Sequence, residues 1–312
     1  MSAGSEMQVA AALNRMLDSD VWHSFRASAV TVAAAAITAV LILAAVLAPL
    51  ISPQNPWNPG ELQLIDAFNP PVWSERGEWR FLLGTDGQGR DLLSAILYGM
   101  RVSLVVGFLA VLFAMAVGIT LGLVAGYAGG IAETVIMRLA DVQLTFPTIL
   151  IALLIDGVTR VLLAPELRDR LAVFVMVFSI GISTWVQYAR TVRASTLVEK
   201  RKEYVQAARV IGLHPAIIVV KHVLPNVMGP VLVIATVGLA VAVLTEATLS
   251  FLGVGMPATQ PSLGTLISKG QEFLFSGEWW IVIFPGIALA TLVLAVNLLG
   301  DWLRDALNPK LR

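Results

Sequence analysis

Cysteine is absent from all 312 residues, which excludes disulfides, thiolate metal sites and cysteine nucleophiles. Charge is scarce too, since only 13% of residues are charged and the 21 basic side chains balance the 21 acidic ones. A formal net charge of zero makes no electrostatic case for nucleic acid as a partner. The stretch GTDGQGRD, 84–91, has the glycine density of a phosphate loop, but the Gly-Lys-Ser/Thr ending such a loop needs occurs nowhere in the chain. On the residues alone it reads as a turn followed by a helix whose N-terminus Asp91 favours electrostatically.

What the chain has in excess is apolar surface. Hydrophobic residues make up 57%, far beyond what a soluble core needs, and the composition is that of an integral membrane protein. The first apolar run, 29–51, is longer than a signal-peptide core and reads as a retained anchor after a polar segment, 1–28. A span needs about 20 apolar residues, and six candidates meet or approach that length: 29–51, 102–127, 133–155, 171–188, 227–249 and 279–299. Trp279 and Trp280 suit the membrane–water boundary at the start of the last. The three histidines, His23, His214 and His222, all fall outside these spans, and HExxH is missing, so an intramembrane hydrolase lacks its base. Ser183 in GISTW therefore has no activating partner, and its small neighbours read as helix packing.

Six spans put both termini on one side. Placing them in the cytoplasm gives that side thirteen of the 21 basic residues, concentrated between Arg190 and Lys221, which fits the positive-inside rule. The outer side then carries the proline-rich loop 52–101, with Pro53, Pro56, Pro59, Pro70 and Pro71 favouring irregular backbone. Near its end Leu92, Leu93, Ile96, Leu97 and Met100 recur at helical spacing, predicting a short interfacial helix before the second span. The organisation is thus a cytoplasmic segment 1–28, a first span 29–51, the outer loop 52–101, a five-helix core 102–300 and a cytoplasmic tail 301–312.

Within the core, residues 203–226 (EYVQAARVIGLHPAIIVVKHVLPN) interrupt the apolar pattern with charges, a glycine and two prolines. Good helix formers run from Glu199 to Ile211, Gly212 offers a left-handed cap, Pro215 suits the first position of a second short helix, and Pro225 is expected to stop it. The product is a helix-turn-helix elbow. Ala207, Ala208 and Gly212 are expected to leave a low surface for another backbone, with Arg209 and Lys221 as charge at its edge; spacing alone fits a solvated basic loop better.

QAARVIGLHPAIIVVKHVLP resembles the signature loop of binding-protein-dependent ABC importer permeases, with Ala207, Ala208, Gly212, Leu224 and Pro225 at the family spacing. Gln206 stands where the motif has an acid, and His222 where it has isoleucine. LLGTDGQGRDLLSAILYGMRVSL, MRLADVQLTFPTILIALL, TEATLSFLGVG and NLLGDWLRDALNPKLR resemble, in order, the C-type subunit of the dipeptide, oligopeptide and nickel branch. The resemblance covers nearly the whole chain and implies an all-α polytopic membrane protein with six transmembrane helices and a type I ABC importer permease fold. It further implies a transport subunit rather than an enzyme, in the bacterial inner membrane. Its partners would be a paralogous permease, two ATPase subunits that bind ATP and Mg, and an extracytoplasmic binding protein, with no cofactor on this chain. Peptides are the expected cargo by family frequency; nickel, sugars and opines are alternatives, and an ion-coupled carrier is the alternative of another class. By the likeness, the loop 190–225, with Glu203, Tyr204, Gln206, Ala207, Ala208, Arg209, Gly212, Leu213 and Pro225, forms the coupling helix that enters an ATPase cleft.

Ionisable groups at membrane depth need a reason. Arg138 and Asp141, three apart, are expected to neutralise one another. Glu246, late in the fifth span, is read as solvated at the interface or as lining a pathway or gate. Pro147 and Pro285-Gly286 are positions for kinks and close packing in moving spans.

Overall fold

The computed structural model describes residues 20–306 apart from residue 258. Most of the expected cytoplasmic N-terminal segment, including Arg15, and the end of the tail, with Lys310 and Arg312, lie outside the described residues. Among those described there is no strand, only an isolated antiparallel bridge between Thr85 and Asp91.

The helices, in chain order, are α1 (Asp20–Ala27), α2 (Ala29–Val46), α3 (Ala48–Ile51), α4 (Leu92–Ala128), α5 (Gly130–Leu144), α6 (Thr148–Leu162), α7 (Pro165–Glu199), α8 (Glu203–Val210), α9 (Pro215–Ile218), α10 (Leu224–Phe251), α11 (Leu263–Gln271) and α12 (Trp280–Ala306). A π turn, Val219–Val223, joins α9 to α10 without a break in direction, so 215–251 is one rod. Five helices are long and apolar enough to span, and α5 and α6 are together apolar enough for one more, bent by 91° as a broken span or a re-entrant loop is.

The bend falls at Pro147, within the expected third span 133–155. Pro147 has no N–H to continue a helix and disfavours helical geometry at Phe146, so the chain stops at Leu144 and restarts at Thr148. The end of α5 is held to α7 through Gln143, whose Oε1 accepts from Trp185 Nε1 at 2.6 Å and whose amide donates to the Ile182 carbonyl. Irregular backbone at membrane depth survives where protein groups satisfy it in this way.

Two further expectations give way to longer helices. The separate interfacial helix does not exist, because residues 92–101 are the first turns of α4. Leu92, Ala95, Ile96 and Met100 bury themselves against Leu263, Leu266, Trp280 and Ile281 instead of lying on lipid. With 37 residues α4 is about 55 Å long, well beyond the ~30 Å hydrocarbon layer. Pro225 does not stop a helix either; the wider π turn before it, closed by Leu224 N–H on the Val219 carbonyl, lets the rod pass through the proline.

The seam between α4 and α7 is the most extensive helix contact among the described residues. Gly118, Gly122 and Gly126 recur every fourth residue along α4, and a Cβ at Gly122 would stand 2.6 Å from the Ala189 carbonyl oxygen and 2.7 Å from Val192 Cβ. Small residues at this spacing let two backbones approach where lipid gives no hydrophobic push between helices. Around it pack Trp185, Tyr188, Ala189 and Val192 of α7 and Val227 and Val231 of α10.

Candidate functional site

At one end of the bundle α7 stops at Glu199, and residues 200–202 turn the chain into α8, so the elbow's first helix starts at Glu203 and not at Glu199. Gly212 closes it at φ +80, with the Leu213 amide donating to the Ala208 carbonyl at 3.1 Å. His214 then caps α9, its Nδ1 accepting from the Ala216 amide at 3.3 Å, and Pro215 takes the first helical position, where no N–H is needed.

Helical spacing sorts the elbow's side chains into two faces. Val205 and Ala208 are buried among Ile218, Val223 and Val227, with Leu213 packed against them. Glu203, Gln206, Ala207 and Val210 point away, and Val210 is 88% exposed with Ile211 at 72%. The expected low surface is therefore divided: Ala208 belongs to the inner face, while Ala207 and Gly212 sit beside an outward apolar pair the sequence reading overlooked. The signal was present as two β-branched residues before the capping glycine in a polar segment.

Several bonds bolt the elbow to the spans. Lys200 Nζ donates to the Gly126 carbonyl at the end of α4, 2.6 Å away, and the Arg209 guanidinium lies over the Tyr127 ring at 5.0 Å rather than free at the edge. Gln206 Nε2 donates to the Lys200 carbonyl at 2.8 Å. Tyr204 donates its hydroxyl to Glu199, and Asn226 Nδ2 at the start of α10 donates to the same oxygen at 3.2 Å. Desolvation, together with the neighbouring Glu199 carboxylate, pushes the Tyr204 phenol up to about 12, so it remains a donor at physiological pH. Asp141 does not neutralise Arg138; its Oδ1 accepts from Arg190 Nη2 of α7 at 2.6 Å. About two turns nearer the start of α5, Glu133 Oε1 accepts from Arg193 Nε at 2.7 Å, so α5 is tied to α7 by two cross-helix pairs.

At the other end the loop between α3 and α4 closes over the start of α4. Asp91 caps that helix, its Oδ2 accepting from the Ser94 amide at 2.8 Å, while its own amide donates to Gln54 Oε1 at 2.7 Å. Asp86 Oδ1 accepts from the amides of Gln88 and Arg90, which folds GTDGQGRD into a side-chain-pinned turn. Burial raises both carboxyls above the ordinary Asp range, against the hydrogen bonds that lower them. Trp280 is buried rather than interfacial, its indole N–H donating to the Thr85 carbonyl at 3.1 Å.

Glu246 is the centre of this end. Its exposure is 0%, so here the carboxyl is out of contact with solvent. Oε2 accepts from Ser103 Oγ of α4 and Oε1 from Ser250 Oγ, each at 2.6 Å. Ser103 Oγ in turn accepts from the Leu263 amide at 3.3 Å, and Ser250 Oγ from the Met256 amide at 3.2 Å. One carboxyl thus clasps α4, α10 and the turn into α11. Pro285 is buried within α12, whereas Gly286 beside it has nothing within 4 Å of a Cβ and makes no close contact. Glu246→Ala should cost about 3 kcal/mol, because it orphans two buried hydroxyls and opens a void, and Glu246→Gln should cost about half that because the amide retains an acceptor. Thermal unfolding of the purified variants in detergent measures the difference. Among the described residues no cluster of three or more His, Asp or Glu side chains is placed to hold a metal ion.

Residues 118–312 match the family of the binding-protein-dependent transport system inner membrane component. The chain belongs to that family. Residues 18–71 also match the N-terminal transmembrane domain of oligopeptide transport permease C. The permease is 38% identical over 273 residues to the dipeptide transport system permease protein DppC of Haemophilus influenzae, covering 88% of each chain. It is 36% identical to the di/tripeptide transport system permease protein DppC of Pseudomonas aeruginosa, over 94% of this chain and 92% of that one. A chain from inward-facing structures of the MetNI methionine ABC transporter superposes with a TM-score of 0.52 at 19% identity, covering 69% of the permease and 96% of that chain. That likeness establishes a common fold. The protein is therefore a multi-span permease of a bacterial ABC import system, an inner-membrane transport subunit and not an enzyme. Its family works with ATPase subunits and a binding protein.

Proposed function

We propose that the permease forms half of the path by which an ABC importer takes up di- or oligopeptides, paired with a paralogous permease and fed by an extracytoplasmic binding protein. The relatives named above as dipeptide and di/tripeptide permeases, at 36–38% identity over most of the chain, support that cargo over nickel, sugars or opines. Both termini lie in the cytoplasm, as the basic residues between Arg190 and Lys221 favour. The elbow is the ATPase-coupling element.

The observation that carries this reading is the outward face of α8. Val210 and Ile211 are largely exposed at the end of a short helix beyond the span, while Val205, Ala208, Arg209 and Tyr204 fasten that helix to α4, α7 and α10. Exposed apolar residues on a rigidly mounted knob are what a cleft in a partner requires. Motion of the partner then reaches three spans at once. Glu203, Gln206, Ala207 and Gly212 frame the contact, and Tyr204, Ala208, Arg209, Leu213 and Pro225 position it. Pro147 and Pro285 are where α5–α6 and α12 flex.

Reconstitution tests the assignment. The permease, co-expressed with its neighbouring permease and ATPases and placed in liposomes with the binding protein, should accumulate a labelled dipeptide only when ATP is present on the ATPase side. Uptake of nickel but not peptide would reassign the cargo. Uptake on an ion gradient, without ATPases, would overturn the importer mechanism in favour of a secondary carrier.

A further inference from the structure

The α6–α7 hairpin, the end of α10 and α11 enclose a cavity of about 290 Å³ at the outer end of the bundle. It is small, near the lower limit of ligand pockets. Its lining combines apolar wall, Ala172 and Met176, with the buried hydroxyls of Ser250 and Thr265. Five charged side chains face it as well: Asp156, Arg160, Arg168, Asp169 and Lys269.

The charges do not cancel evenly. Arg160 Nε binds Asp156 Oδ2 at 2.5 Å and its Nη2 donates to the Gly253 carbonyl at 2.7 Å, so both groups are committed to joining α6 to the end of α10. Arg168 and Asp169 lie 4.0 Å apart and offset one another. Lys269 of α11 has no ion pair among the described residues. It stands on the ridge between this cavity and a second of about 280 Å³, where Glu272 and the Asp86–Arg90 turn line the far wall. The first cavity therefore carries one uncompensated cation together with an apolar wall.

We infer that this cavity is a carboxylate-recognising way-station for the transported peptide, in which Lys269 takes the free C-terminal carboxylate and the wall beside Met176 takes a side chain. The inference rests on the peptide reading of the cargo and adds to it a site and the group that is read. The cavity also has a link into the fold, since Ser250 on its floor is bonded to Glu246 and thereby to Ser103 of α4. Occupancy at the outer face then bears on the clasp that joins α4, α10 and α11. An acidic side chain of the binding protein offers the same carboxylate chemistry from another source, and the experiment separates the two.

The test uses the complete importer in liposomes, with labelled Ala-Phe as probe and two variants of an exposed residue, Lys269→Gln and Lys269→Arg. Peptide uptake and binding-protein-stimulated ATP hydrolysis are measured over a range of binding-protein concentrations. Lys269→Gln should lower uptake about ten-fold, the scale of a lost charge-assisted bond, while stimulation of the ATPases stays within about two-fold of wild type. Lys269→Arg should restore most of the uptake. If Lys269→Gln loses uptake and stimulation together, and excess binding protein restores both, the carboxylate belongs to the binding protein and the way-station is wrong. Unchanged uptake in Lys269→Gln overturns the site while leaving the cargo intact. Failure of the wild type itself to accumulate peptide would instead strike the cargo reading, and with it the carboxylate assignment.

Discussion

Val210→Asp permease is expected to insert, fold and pair normally, yet to lose ATP-driven uptake by roughly 30-fold or more. The two halves of that expectation come from different surroundings of the same side chain. In the isolated permease Val210 is 88% exposed, so a carboxylate there remains in water and should alter stability by no more than about 0.5 kcal/mol. Docked in an apolar cleft, the same carboxylate must shed its water without a partner, and central interface positions carry about 2–4 kcal/mol. That range converts to about 30- to 1,000-fold in association. Co-purification with the ATPases and hydrolysis in liposomes are the direct measurements. Ala208→Asp supplies the contrast. Ala208 is 4% exposed against the spans, so a carboxylate there should reduce the yield of folded protein before any partner is added. A Val210→Asp protein that still couples at full rate would place the docking surface elsewhere than on the outward face of α8.

The contrast between those two neighbours shows where the sequence stops being readable. Local grammar was legible: Gly212 does adopt φ +80, Pro215 does open its helix, and Asp91 does cap α4. Five of the six apolar runs fall on long apolar helices, because a bilayer sets a length that composition reports directly, and the third falls on the bent pair α5 and α6. They could not report helix beyond the bilayer, so α4 and α7, with 37 and 35 residues, came out short and the first turns of α4 were taken for a separate element. What one stretch of chain does not contain is its partner. Arg138 lay nearest to Asp141 in sequence, but the bond went to Arg190, and Glu246 found its hydroxyl on Ser103, 143 positions away. For the same reason the three small residues of the elbow gave no clue to which of them faced inward until α10 was seen to lie underneath Val205 and Ala208.

Gly122→Leu should be among the most damaging single substitutions in a span. An added Cβ would stand 2.6 Å from the Ala189 carbonyl oxygen and 2.7 Å from Val192 Cβ, and neither the backbone nor a β-branched side chain can swing aside. The two helices must separate, and overpacking of this kind costs about 1–3 kcal/mol even where a core can relax. Here relaxation is blocked above and below, because the helices are as close along the same stripe: a Cβ at Gly118 would stand 2.5 Å from Tyr188 Cβ and one at Gly126 2.6 Å from Thr196 Cβ. A loss near 3 kcal/mol would lower the unfolding midpoint by about 6–12 °C in a domain of this size. The consequence extends past stability, since Lys200 and Arg209 attach the elbow to Gly126 and Tyr127 at the end of this seam. ATPases assembled on whatever Gly122→Leu permease does fold should therefore hydrolyse ATP with weakened dependence on the binding protein. Gly286→Ala isolates the cause: its Cβ would meet nothing within 4 Å, so the same loss of a helical glycine should be neutral or stabilising by up to about 1 kcal/mol. A midpoint for Gly122→Leu no lower than that of Gly286→Ala would mean that α4 and α7 are not held together by their close approach, and that the cross-helix ion pairs of α5 with α7 carry the bundle instead.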